Sequence, residues 1–326
     1  MSNKIFSISS AFVLSASFAV ADVPKVTVDI APVHSLVSKV MNGLGKPNLI
    51  IPPEASPHEY QLRPSEAKAL QEAKLVFWIG EDLTPWLEKG LSNLAKDATI
   101  TTLLKADGIE LLDFREGALF DEHDHSDHND HDDHDHGKHK KKDDHDDHAG
   151  HEGHDHGEHD PHAWLSPGIA KVWLNLIAAK LSEVDPSNAG TYFSNASSAN
   201  KDLDSLSDEI NKILDPIRKE KFVVFHDAYQ YFEKHFNISA SGAISLGDAS
   251  DPSPARLKEI KERVEKKDIH CVLAEPQFNE GLVKAVIEGT HANNAVIDPL
   301  GISLEIGPNL YDKLIRNLAI NLSKCF

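Results

Sequence analysis

Short apolar runs alternate with amphipathic stretches along most of the chain. The runs that predict strands lie at residues 26–30, 49–51, 75–79, 100–104, 222–225, 238–244, 270–274 and 294–297. The stretches that predict helices lie at residues 33–44, 84–95, 167–183, 187–214, 228–236, 254–267, 279–289 and 308–323, with one more opening near residues 64–65. Strands that alternate with helices are typical of parallel sheets with crossover helices. The pattern therefore predicts an α/β fold.

The order of these elements divides the chain into two lobes. We expect an N-terminal α/β lobe over residues 22–186, a linking helix over residues 187–214 and a C-terminal α/β lobe over residues 215–326. The linking helix can be long because no glycine or proline follows Gly190 within it. Each lobe is predicted to contain a parallel-type β-sheet flanked by helices.

The first 21 residues have the pattern of a secretory signal peptide. Lys4 supplies the positive charge, residues 5–18 the apolar stretch, and Ala-Val-Ala at residues 19–21 the cleavage site. An uncleaved membrane anchor is the alternative, but the apolar run is too short to span a bilayer. We therefore expect a periplasmic protein whose mature chain does not insert into the membrane.

The charge of the chain is unevenly distributed. Acidic residues outnumber basic ones by 52 to 33, for a formal net charge of −19, which argues against nucleic acid and anionic membranes as partners. One segment, residues 121–160, contains 16 acidic and 4 basic residues together with 13 of the 20 histidines. We call this segment the insertion, because the rest of the chain has an ordinary globular composition.

The insertion is predicted to bind metal. It is too polar to bury a core and should stay disordered without metal, and a merely solvated charge run would not explain so many histidines. It could collect metal ions at several weak sites or sense excess metal. Capture should weaken as pH falls, because neighbouring carboxylates favour the imidazolium form. Its candidate ligands are His123, His125, His128, His131, His134, His136, His139, His145, His148, His151, His154, His156 and His159.

Four polar residues outside the insertion are candidate ligands. In α/β proteins, ligands bind beyond the carboxyl ends of the strands, and three of the four residues follow predicted strands. His58 follows the second predicted strand, His226 follows the strand at 222–225, and Asp298 follows the strand at 294–297. His162 comes just after the insertion and before a helix. Imidazole ligands favour zinc, copper or nickel. A lone histidine at a strand end is more often a hydrogen-bonding core residue, and Asp298 could simply shape a turn.

The remaining histidines and the two cysteines are not predicted to bind metal. His34, His235, His270 and His291 are interpreted as structural or surface residues. Cys271 and Cys325 are the only cysteines, and an exported chain with an even number usually pairs them. Two buried unpaired thiols are the alternative. A bridge would close a loop that stabilises the fold by roughly 4 kcal/mol.

Six segments together resemble one family over essentially the whole mature chain. They are SPHEY at 56–60, LRPS at 62–65, DPHAWLSP at 160–167, FHDAYQYF at 225–232, EPQF at 275–278 and DPLG at 298–301. The chain resembles the periplasmic zinc-binding components of ABC transporters, the ZnuA type of cluster A-I solute-binding protein. The resemblance implies zinc as the transported ligand, a membrane permease as partner and a long helix between the lobes. It also implies the Cys271–Cys325 bridge.

The same resemblance implies that His58, His162 and His226 bind the metal. Manganese-type relatives have an acidic residue where this chain has His226, so the nitrogen donor there favours zinc. For the fourth position we consider Asp298, Glu59 as a weaker alternative, and water. No resident cofactor is expected.

The predicted function is therefore a zinc receptor, a monomer that delivers zinc to a permease. One alternative is a zinc hydrolase, since three histidines and an open position also occur in catalytic sites. The sequence has no His-Glu-x-x-His motif, and Glu275 is the only attractive general base. Another alternative is a periplasmic zinc buffer that works without a permease.

Overall fold

The structure of the chain is a computed structural model that describes residues 23–115, 120, 159–245, 252–266 and 269–326. These residues form two four-stranded parallel sheets with helices packed around them. The prediction of an α/β fold with two parallel sheets and one long helix is confirmed. The signal peptide predicted at 1–21 lies outside the described residues, as does the insertion apart from His159 and Asp160.

The first sheet comes from the N-terminal part of the chain. Its strands are β1 (Val26–Val28), β2 (Asn48–Leu49), β3 (Leu75–Trp78) and β4 (Thr99–Thr102), in the spatial order β2-β1-β3-β4. The helices along this part are α1 (Ala31–Val40), α2 (Pro64–Glu72) and α3 (Pro85–Leu94). All four residues of β3 are buried, as expected of a central parallel strand covered on both faces. Because every pairing is parallel, the carboxyl ends of these strands share one edge.

Two consecutive helices lead from the first sheet to the second. They are α4 (Pro167–Val184), which Ser166 caps by accepting the backbone N–H of Ile169, and α5 (Ala189–Leu214). At 1.5 Å per residue, the 26 residues of α5 span about 39 Å. Its buried residues recur three or four positions apart, which forms one apolar stripe: Tyr192, Ala196, Ala199, Leu203, Leu206, Ile210 and Leu214.

The second sheet repeats the strand order of the first. Its strands are β5 (Phe222–His226), β6 (Ala243–Ser245), β7 (Cys271–Ala274) and β8 (Asn293–Val296), in the order β6-β5-β7-β8. The helices along this part are α6 (Gln230–Phe236), α7 (Pro254–Lys266), α8 (Glu280–Ile287) and α9 (Leu310–Ser323). His226 is the last residue of β5, whereas the sequence pattern ended this strand one residue earlier.

The apolar stripe of α5 joins the two halves of the molecule. This helix contacts α1 and α4 as well as α6 and α9, which lie along the N-terminal and the C-terminal part of the chain. One buried apolar cluster accordingly includes residues of both sheets, and a smaller cluster lies between the second sheet and its helices α7 and α8. None of the helices in the described ranges is both long enough and apolar enough to cross a membrane.

A disulfide joins Cys271, the first residue of β7, to Cys325, which follows α9. Both residues are buried, and the bridge closes a segment of 54 residues. Asn293 adds a second link here, because its Nδ2 donates to the carbonyl oxygen of Cys325 at 2.9 Å. The predicted pairing is confirmed, and it fastens the last helix to the second sheet.

Candidate functional site

The three histidines predicted as ligands line one cleft, which both halves of the chain form. Its walls include Trp164, Glu275 and Phe278. The ring centroids of His58 and His162 lie 5.8 Å apart, and those of His162 and His226 lie 5.4 Å apart. The ring of His162 is thus close to both of the other rings.

His58 comes from the loop between β2 and α2, and it is the most accessible of the three. Its backbone N–H donates to Ser56 Oγ at 3.3 Å, while the preceding carbonyl of Pro57 accepts Trp86 Nε1–H at 2.8 Å. These contacts fasten the loop to α3, where Trp86 lies. His58 itself is only half-buried. It is thus the ligand candidate with the most room to move.

His162 is held by a carboxylate two residues before it. Asp160 Oδ1 lies 2.7 Å from the Nδ1 of His162 and also accepts the backbone N–H of His162 at 2.9 Å. Both residues are almost fully buried. The next turn is fixed across the molecule, because Trp164 Nε1–H donates to the carbonyl of Pro299 at 2.8 Å. A carboxylate on Nδ1 makes Nε2 the nitrogen through which this ring would bind an ion.

His226 has the same arrangement with a partner far along the chain. Glu275, which directly follows β7, places its Oε1 2.6 Å from the Nδ1 of His226. The ring also contacts Phe278 edge-on, with centroids 5.3 Å apart, and Phe278 stacks on Phe225. The side chain of Glu275 is fully buried, and among the described residues its Oε2 has no partner within hydrogen-bond geometry. A buried carboxylate that orients a histidine ring favours the binding of a cation by that ring.

A buried tyrosine lies beside His226. Burial raises the pKa of Tyr229 well above its usual value of 10, and the charges of Glu275 and Asp298 raise it further. Ring centroids of Tyr229 and His226 lie 6.2 Å apart. Imidazole donors with carboxylates behind them suit a doubly charged ion of borderline softness such as zinc.

The described side chains do not yet form a coordination sphere. As they stand, no group of three or more described His, Cys, Asp or Glu residues could hold a metal ion. Rings that share one tetrahedral zinc have centroids about 5 Å apart, given bonds of about 2.0–2.1 Å. The two measured ring pairs exceed that spacing by less than about 1 Å. For these two pairs, only a small approach of the rings is needed.

Asp298, the candidate fourth ligand, stabilises a turn. Its Oδ1 accepts the backbone N–H groups of Leu300 at 3.0 Å and Gly301 at 2.8 Å, and its Oδ2 accepts that of Ile302 at 2.6 Å. Gln277 Nε2 also approaches Oδ1, at 3.3 Å. Both oxygens are thus engaged by the turn that carries Gly301, whose φ of 79° suits glycine. Asp298 does not line the cleft.

The other candidates lie away from the three rings. Glu59, the weaker alternative for the fourth position, is exposed and does not line the cleft. His159 is the one described histidine of the insertion, and its Nδ1 lies 2.9 Å from Asp113 Oδ1. The remaining insertion histidines lie outside the described residues. The histidines interpreted as structural or surface fit that description: His34 is buried against the carbonyl of Pro47, and His291 is exposed.

Two functional residues were missed by the sequence analysis. Asp160 has a local signal, because an aspartate two residues before a histidine can reach its Nδ1. Glu275 had been considered only as a general base, and its contact with His226 spans 49 positions. The ionic cluster of Arg115, Asp227 and Glu233 also went unnoticed, because Arg115 lies more than 110 positions before both carboxylates.

Comparisons with known proteins show which family this chain belongs to. Residues 26–325 match the family model ZnuA, described as zinc-uptake complex component A, periplasmic. The high-affinity zinc uptake system protein ZnuA of Brucella abortus is 47% identical over 303 residues, which are 92% of this chain and 91% of that protein. The protein of the same name from Paracoccus denitrificans is 46% identical, covering 94% and 92%. A crystal structure of ZnuA superposes with a TM-score of 0.72 at 23% identity, covering 93% of this chain and 99% of that one.

Proposed function

Because the chain belongs to the ZnuA family of periplasmic zinc-uptake components, we propose that it captures zinc with His58, His162 and His226 and delivers it to an ABC permease. The observation that carries the proposal is the pair of carboxylate–histidine contacts. Asp160 and Glu275 each orient a buried ring that lines the same cleft. A histidine ligand of zinc commonly donates its second ring nitrogen to a carboxylate in this way.

The fourth position of the zinc is proposed to be water. The oxygens of Asp298 are engaged by backbone N–H groups, and Glu59 is exposed, so both would need to rearrange before they could bind. Three neutral histidines leave the double charge of zinc uncompensated within the cleft. The buried carboxylates of Asp160 and Glu275 balance it from behind the rings. A cargo ion bound in this way can be tight and still exchangeable.

The finer parts of the proposal concern export and partners. Residues 1–21 act as the signal peptide, and the mature chain works as a monomer. No enzymatic activity is proposed, because Oε1 of Glu275, the one candidate base, is already hydrogen-bonded to His226. The insertion supplies weaker zinc sites beside the cleft.

Native mass spectrometry that counts and identifies bound metals tests the proposal. We compare the mature chain, a chain lacking residues 121–158, and the shortened chain with His58→Ala, His162→Ala or His226→Ala. The shortened chain should keep one zinc, and each of the three substitutions should release it. His291→Ala is the matched control, since His291 is an exposed histidine that does not line the cleft.

The opposite results would separate the alternatives. A shortened chain that retains almost no zinc would indicate a buffer whose capacity lies in the insertion. A shortened chain that keeps its zinc after all three histidine substitutions would place the tight site elsewhere and refute the proposed ligands.

A further inference from the structure

The chain just before the insertion is fastened to the turn that follows His226. Arg115 donates through Nε to Asp227 Oδ2 at 2.9 Å and through Nη1 to Glu233 Oε2 at 2.8 Å, and its Nη2 contacts both carboxylates. Asp227 and Glu233 are 6% and 4% exposed, so this cluster is buried. Phe120 covers the guanidinium, with its ring centroid 3.7 Å from Cζ.

The last residue of the insertion, Asp160, is fastened to the same region. The carbonyl of Asp160 accepts the hydroxyl of Tyr231 at 2.9 Å, and Oδ2 of Asp160 accepts Gln230 Nε2–H at 3.2 Å. The hydroxyl oxygen of Tyr231 also accepts the backbone N–H of Leu112 at 3.0 Å. Gln230 and Tyr231 are the first two residues of α6. Both flanks of the insertion therefore converge on the start of this helix.

These contacts link His226 and His162, two of the proposed ligands, through the start of α6. Asp227 is the residue next to His226, and Asp160 holds the ring of His162. The forked guanidinium fixes distance and direction toward two carboxylates, which a lysine ammonium cannot do. A buried ionic cluster adds little net stability after desolvation, so its main effect here is on geometry.

We propose that Arg115 is a positioning residue that sets the placement of His226 relative to His162, and hence the coordination geometry of the bound ion. This proposal rests on the proposed function, because it assumes that both rings bind the same ion. Arg115 acts through Asp227 and α6 and is not itself a ligand. Without the fork, the end of β5 can shift against the segment that carries His162, and the ion loses one well-placed nitrogen.

Cobalt substituted for zinc gives a readout that a merely structural role would not change. The visible absorption of Co²⁺ is strong in a tetrahedral nitrogen site and weak in a six-coordinate one. The full mature chain is loaded with one equivalent of Co²⁺, and the variant with His58→Ala, His162→Ala and His226→Ala gives the spectrum due to the insertion alone. The rate of zinc loss to a chelator is measured on the same proteins.

Arg115→Lys keeps the charge and removes the fork. It should weaken the visible bands and accelerate zinc loss by up to about tenfold, the lower end of the effect of removing a group that hydrogen-bonds a metal ligand directly, because Arg115 acts one residue further away. The matched control is Arg316→Lys, because Arg316 makes the same fork to Glu209, at 2.8 Å through Nε and 2.8 Å through Nη2, without lining the cleft. This control should leave both readouts unchanged.

A second variant covers the case in which Arg115→Lys does not fold. Arg115→Gln combined with Asp227→Asn and Glu233→Gln leaves no buried charge unpaired, and it should show the same weakened bands and faster zinc loss. If Arg115→Lys, or this second variant, behaves like the unmodified chain, or if Arg316→Lys changes both readouts equally, the positioning role is wrong. If the unmodified chain itself matches the triple-histidine variant, the proposed zinc site fails instead.

Discussion

At the residue scale, Glu275 makes the clearest prediction. Its Oε1 lies 2.6 Å from the Nδ1 of His226, and its side chain is fully buried. Glu275→Gln keeps the size and one oxygen acceptor but removes the charge that balances zinc. We expect the zinc affinity of the cleft to fall by roughly 10–100-fold. Calorimetric titration of the chain lacking residues 121–158 measures this.

The control for this substitution is Glu59→Gln. Glu59 carries the same charge next to His58 but is exposed, so its removal should change the affinity by less than about twofold, as screened surface charges do. Equal losses in both variants would mean that the negative field around the cleft matters and the contact with His226 does not.

For Asp298 we expect a loss of stability and little change in zinc affinity, in contrast to Glu275. Its carboxylate accepts three backbone N–H groups, so Asp298→Ala should leave buried donors without partners. We expect the free energy of unfolding to fall by about 1–3 kcal/mol, measured by urea denaturation, while zinc affinity changes little. A large loss of affinity at unchanged stability would make Asp298 a ligand after all.

The placement of His58 and His226 at one cleft could be predicted from the sequence, whereas the role of the three histidines as ligands stays a prediction. His58 and His226 lie beyond or at the carboxyl end of a strand, where parallel sheets gather ligands. The groups that orient the rings could not all be found in this way. The contact of Glu275 with His226 depends on how β5 and β7 pair, which no local pattern encodes. The sequence likewise did not predict that both oxygens of Asp298 accept backbone N–H groups of the turn.

At the element scale, Asp29 links the ends of two strands. It follows β1, it is fully buried, and its oxygens accept the backbone N–H groups of Ile30 at 2.8 Å and Ile79 at 2.6 Å. Burial raises the pKa of Asp29 from 3.8 to about 7, although these backbone hydrogen bonds oppose the shift. The folded chain therefore holds this proton more tightly than the unfolded chain does.

This shift predicts a pH dependence of stability. The contribution of the Asp29 proton is fully present below about pH 4 and is lost as pH rises toward 7, by up to about 1.4 kcal/mol per pH unit. Asp29→Asn cannot titrate, so the difference in unfolding free energy between the native chain and this variant should shrink from pH 5 to pH 7. Denaturant titrations at several pH values measure it, and a constant or growing difference would contradict the raised pKa. Histidines elsewhere titrate in both proteins and cancel.

The disulfide makes a second prediction at this scale. Cys271 and Cys325 fasten α9 to β7 across 54 residues, and such a closure contributes about 4 kcal/mol in the chain-entropy model. Replacing both by serine should lower the free energy of unfolding by about 3–4 kcal/mol, measured by denaturant titration. Neither residue lines the cleft, so one zinc should still bind. Loss of zinc in a folded variant would instead tie the bridge to the site.

Most elements could be predicted because buried parallel strands are short apolar runs and the helices between them are amphipathic. The strand predicted at 238–244 was mostly wrong, since β6 covers only Ala243–Ser245. Ile238 and Ala240 are buried, but they lie in the connection from α6, where burial produces the same alternation as a strand. Alternation alone cannot tell a buried connection from a paired strand.

At the scale of the whole molecule, the structure favours small movements on loading. The stripe of α5 contacts helices of both halves, and one buried cluster runs through both sheets, so a wide hinge would expose much apolar surface. His58, half-buried on its loop, can approach the other two rings at little cost. His162 and His226 are instead fixed by their carboxylates. Zinc should therefore be enclosed chiefly by movement of the His58 side chain.

The most direct measurement is anomalous diffraction at the zinc edge from crystals of the zinc-loaded protein. The account predicts one strong peak in the cleft, about 2.0–2.1 Å from the Nε2 atoms of His58, His162 and His226. A peak elsewhere, or a peak in the cleft that one of these three rings does not reach, would contradict it.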